Sequence, residues 1–522
     1  MSRVRRWAVG AGVLGAALAS GAWLARRPAA IDGGTYERAR LFEDVLDRVR
    51  DAYVDSISDR ELYVRAARGL VTKLHDPYAA LLIGTEYDQL RERTSGDYAG
   101  VGIQVEVRSG WLVIVTPVAD SPAERAGLRT GDVIVSVGGR AARGWTVPQS
   151  RQALRGASGS SVTIGVRRAD AAEPLLFTLT RSRVHRAAVR PGILLADSVG
   201  YLRLGTVSDR SSEELRQGVA ALVNRGMRAL LLDLRSNPGG LRDEAVLAAD
   251  LFLDPGQSIL ITRGRAPGDS RTFTDVTPQT WPGLPIVVLV NEGTASAAEI
   301  LAGALQDHDR ALIAGTPTYG KGLVQTVFPL GDDIALRLTT ARWFTPVGRS
   351  IQRALRDSLG PAGPIDTATV FHTDGGRRLG RGGGIAPDAL VPADTLTAAE
   401  QQLGLLLSAD IDVFRDVVAG YAATVARAGT ITDEKFRVSD AMRVAVRQRL
   451  AARGLPVSDS LFAGGGRLLA RELGYELARH RFGPDGEWRR RVTEDGQVTA
   501  ARALLPPGVT TRSMLDRVAP GS

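Results

Sequence analysis

The chain is 522 residues long and 44% apolar, enough for several domains with cores of their own. Its net charge of +9, from 66 basic and 57 acidic residues, is spread along the sequence without a basic block or interleaved aromatics, which argues against nucleic acid as a partner. There is no cysteine, so disulfides and thiolate metal sites are excluded, and the five scattered histidines form no metal-ligating spacing.

Arg3, Arg5 and Arg6 precede an uncharged stretch from Trp7 to Ala25, rich in Ala, Gly, Val and Leu. This predicts a signal sequence or signal anchor over residues 1–30. Ala17-Leu18-Ala19 offers a small-x-small cleavage pattern. The run is nevertheless about as long as a minimal bilayer span, and Arg26-Arg27 follow it, which tips the reading toward a retained anchor. Either way the remainder is expected to be exported.

Residues 34–95 read as helical. Leu41, Val45, Val49 and Tyr53 lie four apart, Leu62, Ala66, Leu70 and Leu74 repeat the spacing, and Asp76-Pro77 ends the second helix. Residues 96–185 change character. Strands are expected at Gly100–Val107, Trp111–Val115, Gly131–Gly139, Val162–Val166 and Leu175–Leu179. A short capped helix is expected over Ser121–Leu128 and another about Gln149–Leu154. The order and phrasing resemble a PDZ domain, with Tyr98-Ala99-Gly100-Val101-Gly102-Ile103 as its carboxylate-binding loop. A glycine-rich turn of backbone N–H groups can cradle a terminal carboxylate while the adjacent strand edge pairs with an extended peptide.

From Gly200 strand and helix alternate. Tyr201–Leu204, Arg228–Leu234 and Ile259–Thr262 read as strands, Ser212–Asn224 and Ala245–Leu253 as helices, and Asn237–Gly240 as a turn, an α/β arrangement. Pro285-Ile286-Val287-Val288-Leu289-Val290 is a wholly apolar run, a buried strand. Ile300, Leu301, Ala304 and Leu305 then fall at helical spacing, so Ser296 sits where a strand becomes a helix. There an oxyanion formed beside a nucleophilic serine would find backbone donors already aimed at it. Ser296 and Glu299 also spell Ser-x-x-Glu, the capping box, so on this stretch alone a plain helix cap is open as well.

Lys321 lies between Gly320 and Gly322, and it is one of three lysines (with Lys73 and Lys435) among 66 basic residues. Arginine keeps its charge at any working pH, whereas a lysine buried beside Ser296 can shed its proton and act as a base. Gln325 follows four residues later. It can orient Lys321 by a hydrogen bond only if the chain coils after Gly322, since four residues span about 13 Å on a strand and about 6 Å on a helix.

These segments together resemble the carboxy-terminal processing protease family, serine endopeptidases with a Ser-Lys-Gln catalytic set. The phrases that carry the likeness stand in order: Leu232-Asp233-Leu234-Arg235-Ser236-Asn237-Pro238-Gly239-Gly240-Leu241, the Ser296 segment, Gly320-Lys321-Gly322 with Gln325, Thr345–Ile351 and Gly384–Asp388. Thr294 and Ser236 stand where the family pattern leads one to expect Ser and Gly. The resemblance spans roughly residues 34–392. It implies an α/β multi-domain chain with a Clp peptidase/crotonase-like protease core over 186–396, an inserted PDZ domain over 96–185, and helical N- and C-terminal regions.

The same resemblance implies Ser296 as nucleophile, Lys321 as general base and Gln325 as its orienting group. Gly239 or Gly240 with Ala297 would be the oxyanion donors. Tyr98, Gly100, Val101, Gly102 and Ile103 would capture polypeptide substrates by their free C-terminal tails. No metal or organic cofactor is needed. Periplasmic placement, free or at the inner-membrane face, and a homo-oligomer are compatible with it. Beyond about Ala393 the resemblance stops. Residues 397–522 read as a helical extension, one periodic segment over Ala398–Arg427 followed by helices over Ser439–Arg453 and Gly466–Arg481, packing on the core or mediating assembly. The rivals are a PDZ-bearing chaperone or scaffold with an inactive core, and a small-molecule acyl hydrolase on the same fold.

Overall fold

A computed structural model of the chain describes residues 33–168, 171–353, 370–379 and 383–518. The expected signal sequence or anchor lies outside these residues, and no described helix is long and apolar enough to cross a membrane. The described residues divide into two compact units, one up to residue 81 and one from residue 82 on.

In the first unit the helices are Gly33–Ala52 and Asp59–Thr72. Ser58 opens the second by accepting the Glu61 N–H, and Asp59 and Glu61 place acid at the positive end of the helix dipole. That helix stops short of Leu74, because His75 adopts a left-handed φ of 54° just before Asp76-Pro77. Of the expected apolar stripe Leu62 is buried, but Leu41, Val45, Tyr53, Leu70 and Leu74 are exposed, and Leu46 and Val71, outside it, are buried instead. Nor is the stretch to residue 95 helical throughout, since the strand Ala80–Ile83 precedes the helix Thr85–Ser95.

The second unit holds the Thr85–Ser95 helix and then the region expected to be a PDZ domain. Its strands Ile103–Arg108, Trp111–Pro117, Val133–Val137, Ser161–Arg167 and Leu175–Thr180 form one antiparallel sheet, each paired to the next. Leu112, Ile114, Ile134, Ile164 and Val166 are fully buried in its core. The Val147–Leu154 helix starts two residues before its expected position, because Thr146 and Gln149 form a capping box there and Pro148 occupies the first turn. The chain enters and leaves this region through a two-stranded ribbon, Asp97–Gly100 against Ser182–His185.

The remaining core is organised on a central sheet. Val199–Arg203, Ala229–Asp233, Ile286–Val290, Leu312–Gly315 and Ala389–Leu390 lie parallel in that order, with Ile193–Leu194 antiparallel at one edge. The unbroken apolar runs seen in sequence follow from burial on both faces. One face packs Leu230, Leu232, Ile286 and Val288 against the helices Ser211–Asn224, Arg242–Asp250 and Ala297–Asp307. The other packs Tyr201, Leu231, Val287 and Leu289 against Val492, Val498, Ala501, Leu505, Met514 and Leu515. The end of the expected extension is therefore part of this core. A second, antiparallel sheet runs through Leu323–Pro329, Ile334–Phe344, Ser258–Gly264 and Arg271–Thr274.

Two expectations for the tail change. Ala398–Arg427 is broken into Ala398–Ala409 and Ile411–Arg427 by Asp410, whose carboxylate accepts the Val413 N–H and so starts a new helix. The helix expected over Gly466–Arg481 runs on to Thr493, across a kink at Gly483 and Pro484.

Candidate active site

The Ile286–Val290 strand delivers the chain to a tight turn, and Ala297–Asp307 is the helix that leaves it. Ser296 sits between them with φ 54° and ψ −116°, a conformation costly for any residue with a Cβ. The surrounding structure holds it there. Asn291 Oδ1 accepts the Gly293 N–H, Thr294 Oγ1 donates to the Leu234 carbonyl, and the Ala295 N–H donates to the Asn237 carbonyl. Threonine in place of the expected serine at 294 thus keeps the hydroxyl that joins the two loops.

The second loop follows the Ala229–Asp233 strand. Ser236 takes φ 56°, which accounts for the glycine expected there, and its N–H donates to Asn291 Oδ1 at 2.7 Å. Gly239 lies directly on the Ser296 turn. A Cβ at Gly239 would stand 2.6 Å from the Ala295 oxygen, 2.8 Å from the Ala297 nitrogen and 3.0 Å from Ser296 Cβ, so only glycine lets the loops approach. Its N–H donates to Asn237 Oδ1. Gly240, exposed at the turn, is the glycine whose N–H has no acceptor among the described residues. Ala297 occupies the first helical position, where the N–H has no intrahelical acceptor.

The third segment carries Lys321. Gly320 and Gly322 let it run against residues 351–353: a Cβ on Gly320 would meet the Ile351 oxygen at 3.0 Å, and one on Gly322 the Gln352 nitrogen at 3.1 Å. The Tyr319 N–H donates to the Thr294 carbonyl, and the indole of buried Trp343 donates to the Lys321 carbonyl.

Glu299 ties the segments together. It is fully buried, and its Oε2 accepts the N–H of Ser296 at 2.7 Å and that of Lys321 at 2.9 Å, which caps the separation of those two nitrogens at the sum of the distances. Oε1 accepts the Gly320 N–H at 2.7 Å and the Thr318 hydroxyl at 2.5 Å. Burial raises the Glu299 pKa, and these four donors hold the rise back. The capping half of the Ser-x-x-Glu reading is therefore present, and the same carboxylate reaches beyond it to Lys321. Sequence reasoning gave Glu299 no further role. The signal was there, because Glu299 is the one charged residue in an otherwise neutral stretch from Ala297 to Gln306.

Gln325 departs from expectation. The chain does not coil after Gly322 but enters a strand at Leu323, paired to Ile334–Phe344 with a bulge between Val324 and Gln325. Val324, Thr326, Val327 and Phe328, β-branched or aromatic, pair well there, and cross-strand pairing prevails over the turn. Gln325 Nε2 is buried without a hydrogen-bond partner. The later motifs support this frame from behind: Arg349 donates to Gln306 and Asp307 at the end of the Ala297–Asp307 helix, and Asp388 accepts from Gln306 and from the Ile313 N–H.

Away from this centre, a cleft of about 560 Å³ runs between the Ile103–Arg108 strand and the Val147–Leu154 helix, and Tyr98, Val101 and Ile103 line it. The loop carbonyls face inward: that of Val101 accepts from the Ala123 N–H, and that of Gly102 from the Val118 N–H and the Ser121 hydroxyl. Gly102 has φ 79°, and a Cβ there would stand 2.1 Å from that of Ser121. The Arg155 guanidinium lies over the Tyr98 ring, 5.1 Å from its centroid, and pairs with Glu92.

Residues 198–357 match the model of peptidase family S41, and residues 113–168 match that of the PDZ domain. The chain is 37% identical over 322 residues to the carboxy-terminal-processing protease of Bartonella bacilliformis, a match covering 61% of this chain and 73% of that protein. It is 32% identical over 311 residues to the Staphylococcus saprophyticus protein named "Probable CtpA-like serine protease", covering 59% of this chain and 62% of the other. A solved structure of a photosystem II D1 C-terminal processing protease is 29% identical, covering 68% of this chain and 94% of that one, with a TM-score of 0.38.

Proposed function

Because this chain belongs to the carboxy-terminal-processing proteases of peptidase family S41, with a PDZ domain and an S41 core, we propose that it is an exported serine endopeptidase that cuts polypeptides near their C-termini, with Ser296 as nucleophile and Lys321 as base. Ser296 Oγ attacks the scissile carbonyl carbon as the neutral Lys321 amine takes its proton. The electron pair moves onto the carbonyl oxygen, which the N–H groups of Gly240 and Ala297 receive. Collapse expels the amine with a proton returned by Lys321, and water, activated by the same base, releases the acyl group. The PDZ cleft takes the substrate's C-terminal tail at Tyr98 and Gly100–Ile103. Residues 1–30 direct the chain to the periplasm or the periplasmic face of the inner membrane.

The observation that carries this reading is the single oxygen of Glu299 shared by the backbone N–H groups of Ser296 and Lys321, with the Gly239 loop packed on the serine. An inactive scaffold is not favoured by the family match. Ser296→Ala should leave a folded protein whose cleavage of a polypeptide, measured in a chelator, falls at least about a thousandfold, since the covalent route is lost. Near-normal turnover by a clean preparation would refute the assignment.

A further inference from the structure

Arg235 stands one residue before the loop that carries Ser236, Asn237, Gly239 and Gly240, and it is buried, 8% exposed. Its Nε and one terminal nitrogen donate to the two oxygens of fully buried Asp233, at 3.0 and 2.7 Å, and its own backbone N–H donates to Asp233 as well. The other terminal nitrogen points out of the central sheet toward the tail. There it donates to Asp495 Oδ1 at 3.1 Å and to Gln497 Oε1 at 2.9 Å, while Asp495 Oδ2 lies 2.9 Å from the first. Gln497 is itself buried, and its amide nitrogen donates to the Val391 carbonyl, at the edge of the same sheet. Residues 492–515 cover one face of that sheet, so neither partner can swing away without exposing apolar surface.

We propose that Asp495 and Gln497, contributed by the C-terminal extension, are positioning residues for the oxyanion turn. They act through Arg235, which they hold in the one orientation that keeps the Arg235–Gly240 segment seated against Ser296. The inference rests on the reading of Ser296 and Gly240 given above. A fork of fixed donors with its far end unclamped can rock about Asp233, and the loop that follows Arg235 directly moves with it. Donor placement at an oxyanion matters more to the transition state than to bound substrate, so the effect belongs in kcat.

The test uses the full chain. Asp495→Ser keeps a good N-cap for the Gly496–Ala503 helix but is too short to reach Arg235, and Gln497→Ala removes the second acceptor without touching the cap. The double variant is expected to lose about tenfold in kcat with KM within about twofold of wild type. A peptidyl aldehyde, whose adduct with the serine carries the oxyanion, should weaken by the same factor, whereas an uncleaved peptide should not. Asp495→Asn, which retains the Oδ1 acceptor, should recover part of the loss. If the double variant fails to fold, Gln497→Ala alone should show the same split in smaller measure. A folded variant with kcat within about twofold of wild type, or one whose loss lies in KM, overturns the proposal while Ser296→Ala stays inactive. If Ser296→Ala still cleaves, the reading of the site falls and this inference falls with it.

Discussion

Replacing Glu299 separates the geometry of the site from the stability of the fold. Its carboxylate receives four donors, two on each oxygen. In Glu299→Gln one oxygen becomes an NH2 group, and either orientation of the amide leaves two donors without an acceptor. The orientation that retains the bridge between Ser296 and Lys321 leaves unpaired the Gly320 N–H and the Thr318 hydroxyl. An unpaired buried donor costs about 1–3 kcal/mol, so the substitution should cost about 2–6 kcal/mol, against a total of about 5–15 kcal/mol for a typical domain. Thr318 can turn its hydroxyl, which favours the lower end. Glu299→Ala strands all four donors and removes the bridge. Urea unfolding should therefore rank wild type above Glu299→Gln and Glu299→Ala last. Peptide turnover should fall about tenfold in the glutamine variant and more than a hundredfold in the alanine one, because only alanine uncouples the Ser296 and Lys321 backbones. A folded Glu299→Ala that cleaves within about threefold of wild type would refute the bridging role.

Three further outcomes are expected. Gly239→Ala would force a Cβ to within 2.8 Å of the Ala297 nitrogen at a backbone φ of 86°, so peptide turnover should drop at least about a hundredfold, and a fully active variant would contradict the packing described. Burial and Arg210 disfavour the charged ring of His185, but Glu214 and Asp97, each 2.7 Å from one of its nitrogens, outweigh them and raise its pKa. The stabilisation it supplies is thus present below the ordinary histidine value of about 6.5 and lost as pH climbs through the raised one. Thermal unfolding of wild type and His185→Gln should differ most at low pH and converge at high pH, and a constant difference would count against the ion pairs. Amidating the C-terminus of a peptide should weaken its binding to the Ser296→Ala protein about tenfold or more, and equal binding of free and amidated peptides would remove the tail-capture role from Gly100–Ile103.

Local pattern made the strands and most helices legible, because apolar runs buried on both faces and capping residues act over a few positions. The convergence of the Ser296 turn, the Lys321 segment and the Gly239–Gly240 turn was legible for the same reason: glycine marks close backbone approach, and a lone lysine stands out among arginines. Which of the two glycines keeps its N–H without an acceptor was not, since that depends on Asn237 capturing the N–H of Gly239. The placement of Gln325 was misjudged because strand pairing with Ile334–Phe344, a long-range interaction, overrides any local tendency to coil. The helix break at Asp410 was hidden by continuous apolar periodicity on either side of a single capping residue. Least legible was the tail, whose contribution lies in Asp495 and Gln497 meeting Arg235 from some 260 residues away along the chain.

The central claim is that Lys321 serves Ser296 as a base, and Lys321→Arg tests it most directly. Arginine keeps the charge and most of the length yet cannot supply a neutral amine near pH 7. Cleavage of a peptide by the folded variant, followed in a chelator, should be nearly as low as that of Lys321→Ala. If Lys321→Arg instead cleaves within about tenfold of wild type, a loss of only ~1.4 kcal/mol in the barrier, Lys321 is no base and Ser296 reverts to the cap of its helix.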